Sequence, residues 1–155
     1  MNFIQKFLAN LFTEKKYKSN NQDQNEALID CLALAVVVDG VIETSELAEI
    51  NDAIKMFEWQ SDVAPQDYVD QALDHAAEVL VEESALRVFA SDIAERLDEE
   101  WLREEAYYIS ARIVSSDKDL VEEERLFLNA LVESMAITPK HLQNITQKLM
   151  EDMKF

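Results

Sequence analysis

Glycine is nearly missing from this chain. Gly40 is the only one among 155 residues, and it is joined by just two prolines, Pro65 and Pro139. A single glycine excludes the glycine-rich loops that cradle phosphates. Few chain-breakers and abundant Ala, Leu, Glu and Asp argue for helices joined by short polar turns. One cysteine, Cys31, excludes an internal disulfide. It sits in the run Cys-Leu-Ala-Leu-Ala-Val-Val-Val, so a buried, inert thiol is expected rather than a nucleophile, which needs an electropositive and partly exposed setting. Positive charge is scarce as well, with 14 Lys and Arg against 32 Asp and Glu and a formal net charge of −18. That balance opposes binding to nucleic acid and to anions, and leaves cations and basic partner surfaces as compatible ligands. No run of 18 apolar residues exists, and the apolar N-terminal stretch is broken by Gln5 and Lys6. Neither a membrane span nor a signal peptide is read, and a cytoplasmic location is the default expectation.

A chain of this length fits one domain that buries roughly 70% of the surface its unfolded form exposes, which needs no staples. Charge divides it unevenly. Residues 1–20 hold Lys6, Lys15, Lys16 and Lys18 against Glu14, a net of +3, so the rest carries −21. Within this leader Phe3, Ile4, Phe7, Leu8, Leu11 and Phe12 form one stripe of a short amphipathic helix. Such a stripe either docks on the body or a second copy, or lies on a membrane surface or a partner with its lysines toward anionic groups, a peripheral contact through residues 1–12. Residues 13–25 read as a polar linker, so the expected division is 1–20 for the leader and start of the linker and 21–155 for a helical domain.

The helical pattern of the body is regular. A first helix from Gln22 or Asp23 to Val38 is apolar on every side in its second half, which places it at the centre of a bundle. Leu47, Ile50, Ala53, Ile54 and Phe57 stripe a second helix ending near Trp59. Pro65 opens a third with Val69, Ala72, Leu73, Ala76 and Leu80 inward. Leu86, Phe89, Ala90, Ile93 and Leu97 give a fourth. The acidic run Asp98-Glu99-Glu100 starts a fifth, which carries Trp101, Leu102, Tyr108, Ile109 and Ile113 inward. A sixth holds Leu128, Leu131, Val132 and Met135, and Thr138-Pro139 opens the last, with Leu142, Ile145, Leu149 and Met153 inward. The expected fold class is all-α, a single-domain bundle of about seven helices.

A repeat runs through it. Asp39, Ile42 and Glu46 recur 78 residues later as Asp117, Leu120 and Glu124, which makes two helix–acidic loop–helix units. Read from Ala35, the first loop follows the second half of an EF-hand, but positions 1 and 3 would be Ala35 and Val37, and Ile113 and Ser115 in the second copy. An EF-hand site is therefore not expected. What remains is an Asp at one helix end and a Glu in the first turn of the next. Capping alone explains such acids, and Asp119-Leu120-Val121-Glu122 reads as a capping box. The sharper reading pools Asp39, Glu46, Asp117 and Glu124 as oxygen ligands of a hard divalent cation, Ca²⁺ or Mg²⁺. His75 and His141 share no ligand spacing with each other or with Cys31, and are expected to be partly exposed bystanders.

The segment Ala35-Val-Val-Val-Asp-Gly-Val-Ile-Glu-Thr-Ser-Glu46, followed by a second Asp-x-x-Leu-x-x-x-Glu, resembles the TerB-like tellurite-resistance family, and is similar to the N-terminal domain of the DjlA co-chaperone. The resemblance spans roughly residues 24–153 and implies an all-helical fold of about seven helices. It further implies that Asp39 and Glu46, with Asp117 and Glu124, bind a divalent cation, and it links the chain to stress response and membrane-associated assemblies. Lys118 departs from the glycine of the motif, and its charge could fill the cation's place. Tellurite is an anion and is disfavoured as a direct ligand of so acidic a body. The reading is a non-enzymatic, cation-responsive scaffold with a protein partner and no nucleic acid. Its rivals are a constitutive interaction module for a basic or amphipathic partner, and more distantly a metal-dependent hydrolase.

Overall fold

The computed structural model describes residues 21–40, 59–115 and 120–153. Among them are six helices and no strand: α1 (Gln22–Asp39), α2 (Pro65–Val79), α3 (Glu83–Arg96), α4 (Glu100–Val114), α5 (Glu122–Ser134) and α6 (Pro139–Met153). The protein is all-α. The leader helix and the second helix expected around Leu47–Phe57 lie outside the described residues.

The helix α1 begins in a capping box. Asn21 Oδ1 accepts the Gln24 amide at 2.8 Å, and the Asn21 amide donates to Gln24 Oε1 at 3.0 Å. The polar stretch before the body thus ends at Asn21, and residues 22–25 are helix rather than linker. Its other end is Gly40, at φ 78°, whose amide reaches the carbonyls of Val36 and Val37. A Cβ at Gly40 would meet nothing within 4 Å. The glycine therefore answers the left-handed φ and not a lack of space.

Every residue from Ala27 to Val36 is buried, so α1 is the axis that its apolar second half predicts. It packs against α2, α3, α4 and α5. Leu34 and Cys31 on α1 pack with Ile93 and Leu97 at the end of α3, Leu102 on α4, and Phe127 and Leu131 on α5, all of them fully buried.

A buried carboxyl group joins three helices of this core. Asp30 Oδ2 accepts Arg96 Nη2 at 2.7 Å, and the Tyr68 hydroxyl donates to both carboxylate oxygens at 3.0 and 3.1 Å, joining α1, α2 and α3. Burial raises the Asp30 carboxyl above its ordinary range, against the lowering pull of Arg96 and Tyr68.

The helix α6 is attached differently. Leu142, Ile145 and Leu149 face the core, as their spacing predicts, but none is fully buried; the helix is peripheral and docks chiefly on α4. Its polar ties to α4 lie at both ends. His141 approaches Glu100 and Glu104 at the start. Near the other end Asp152 accepts the Tyr108 hydroxyl, and Lys148 Nζ lies 4.7 Å from the Tyr108 ring centroid. The start of α6 thus lies at the start of α4, and its far end beside the middle of α4.

Candidate metal site

Glu100 and Glu104 are one helical turn apart on α4, and i, i+4 spacing sets their side chains on one face. The helix starts there because Glu99, as the flanking residue, and Glu100, in the first turn, supply carboxylates to its N-terminus, as the acidic run predicts. Arg103, between them in sequence, is bonded to the end of α3. Its guanidinium donates to the Ala94 and Leu97 carbonyls at 2.6–3.1 Å and closes the C-terminal end of α3. That bonding fixes the turn from α3 to α4, and Asp98 within it accepts Gln24 Nε2 of α1 at 2.8 Å.

His141 arrives from the first turn of α6. Pro139 opens that helix, and Thr138 Oγ1 accepts the His141 amide at 3.2 Å. The approach of α6 is set by a sharp stop to α5. The Ala136 amide donates to the Glu133 carbonyl and the Ile137 amide to the Val132 carbonyl, the two bonds of a Schellman motif. Ala136 is the left-handed residue, at φ 53°, where glycine is usual.

These devices bring His141 Nδ1 to 3.0 Å from Glu100 Oε1 and 2.8 Å from Glu104 Oε1. One ligand atom from each of the three residues lies within 4.8 Å of the others. Glu100 is exposed, and Glu104 and His141 are half-buried. The group opens on a cleft of about 340 Å³ walled by Asp98, Arg103 and the Met135–Ile137 turn. As a plain ion pair this arrangement would contribute about 0–1 kcal/mol, the value of exposed pairs. As a donor set, two carboxylates and an imidazole suit a divalent metal at 2.0–2.2 Å from each atom, with water completing the shell from the cleft.

The expected loop cluster is only partly described. Glu46 and Asp117 lie outside the described residues. Asp39 is the last residue of α1 and half-buried. Glu124 is buried in the first turn of α5, where its carboxylate accepts the Val121 amide at 3.0 Å. It therefore serves as a helix-capping acceptor. The capping box expected over Asp119–Glu122 is displaced: α5 starts at Glu122, Val121 flanks it, and Glu124 reaches back. Valine has no side-chain acceptor, so only this half of a box is made.

The histidines divide. His75 sits edge-on to Phe89 with ring centroids 4.6 Å apart. His141 is partly exposed, as expected, but it is paired with Glu100 and Glu104, which sequence spacing did not show because they lie some 40 residues away on another helix. The signal that could have found it is the Glu-x-x-x-Glu pair at the start of α4. Cys31 is inert as expected: it is fully buried, 3.2 Å from Ser110 Oγ, and burial pushes its thiol up to about 12. Among the described residues no helix is long and apolar enough to cross a membrane. Comparison with protein-family models, with curated proteins and with solved structures finds no match to this chain.

Proposed function

We propose that this chain is a non-enzymatic helical scaffold that binds a divalent cation, of the kind its resemblance to the TerB-like family implies, and that it acts in response to chemical stress. The observation that carries the reading is the convergence of Glu100, Glu104 and His141 at the mouth of one cleft. The −18 net charge supports it by raising the local concentration of cations around the molecule. In the same reading the two acidic motifs are a repeated structural unit of a seven-helix bundle. Of their acids, Asp39 closes α1 and Glu124 caps α5.

A second reading, an interaction module, has its own observation. Helix α6 lines an apolar cleft of about 570 Å³, with Leu142 and Met150 among its walls. An apolar cleft on so acidic a chain suits a basic or amphipathic partner.

Thermal melting and calorimetric titration with Ca²⁺, Mg²⁺ and Zn²⁺ separate the two. Cation at ten times its Kd should stabilise the fold by about 1.4 kcal/mol. If no ion binds and the midpoint does not move at millimolar concentration, the interaction module is the better account.

A further inference from the structure

Resting on the cation reading, we infer that the Glu100–Glu104–His141 site takes a borderline transition metal of the zinc class, and that the bound ion fastens α6 to the body. Two features of the geometry point there. An oxygen-only set would select Ca²⁺ or Mg²⁺, but here one of three ligand atoms is an imidazole nitrogen, which suits zinc, nickel or copper and adds little for a hard ion. The donors also come from two elements, both carboxylates from α4 and the imidazole from α6, so an ion holding all three must bridge the helices.

The bridge falls where it has most effect. Helix α6 contains no fully buried residue, and its described polar ties to α4 are side-chain contacts at its two ends. A segment held by few buried contacts opens locally more readily than the global fold. An ion that binds only when His141 lies against Glu100 and Glu104 suppresses that opening by the factor 1 + [L]/Kd. At one hundred times Kd the factor is about 100. The ion thereby controls how often the inner stripe of α6, Leu142, Ile145 and Leu149, is released from α4.

The test is hydrogen exchange of the α6 amides on the full chain, metal-free and with ZnCl₂, CaCl₂ or MgCl₂, alongside calorimetry of each ion. Glu104→Gln, which keeps a hydrogen-bond acceptor for His141, and His141→Ala are run in parallel, with circular dichroism confirming that each variant is folded. The expected result is zinc binding with exchange of α6 slowed about 100-fold at saturation, no comparable slowing by Ca²⁺ or Mg²⁺, and loss of the effect in both variants. Equal slowing by Ca²⁺ or Mg²⁺ would overturn the metal class. Zinc binding that survives both substitutions would overturn the site. Zinc that binds through these residues without changing α6 exchange would overturn the fastening and leave the cation reading standing, whereas no binding by any of the ions would remove that reading too.

Discussion

Ala136 holds a left-handed φ that costs an L-residue about 1–2 kcal/mol relative to glycine, part of which glycine returns through its looser unfolded chain. Ala136→Gly should therefore stabilise the protein by about 0.5 kcal/mol and raise the melting midpoint by about 1–2 °C, read by calorimetry. Asp30 makes a different prediction. Burial raises its carboxyl in the folded state, so the fold favours the protonated form. Its contribution to stability is fullest below the ordinary carboxylate pKa and is lost as pH rises through the raised value. Denaturant titrations from pH 4 to 7 should show the native protein losing stability relative to Asp30→Asn as pH rises. Cys31 should resist iodoacetamide in the folded protein and react on unfolding, because its thiol is buried and held as the neutral form. The inertness of Cys31 was legible from its apolar neighbours. The strain at Ala136 was not, since nothing in Ser-Met-Ala-Ile marks a left-handed residue, and neither was the Asp30–Arg96–Tyr68 cluster, whose members are 28 to 66 positions apart.

Helices are the most legible level of this protein. Proline at the starts of α2 and α6, the Asp98-Glu99-Glu100 run before α4 and the sole glycine after α1 each act within one turn, so local chemistry sets these boundaries. The central place of α1 followed from its lack of a polar face. Its core position predicts that Leu34→Ala, at a fully buried residue, costs about 3 kcal/mol in chemical denaturation. The start of α5 lies two residues beyond the expected one because several acids there can cap, and Glu124 is the one that accepts the Val121 amide. For α6 the pattern gave Leu142, Ile145 and Leu149 as facing residues but not their depth, and the core cluster does not extend to Met153. An apolar stripe reads the same whether the groove beneath it is deep or shallow.

At the scale of the whole molecule, the acid excess was legible and the place where it gathers a ligand set was not. Periodicity reports which face of a helix turns inward, while the meeting of His141 with Glu100 and Glu104 depends on the turn after α5 setting the start of α6 beside the start of α4. Sequence directed attention to the repeated motifs at Asp39 and Asp117. Geometry directs it to the start of α4. Crystals of the protein soaked in zinc and measured at the zinc absorption edge test this directly. The account predicts an anomalous peak about 2 Å from His141 Nδ1 and from a carboxylate oxygen of Glu100 and of Glu104. A peak at Asp39, Glu46, Asp117 and Glu124 instead, with none at His141, would contradict it.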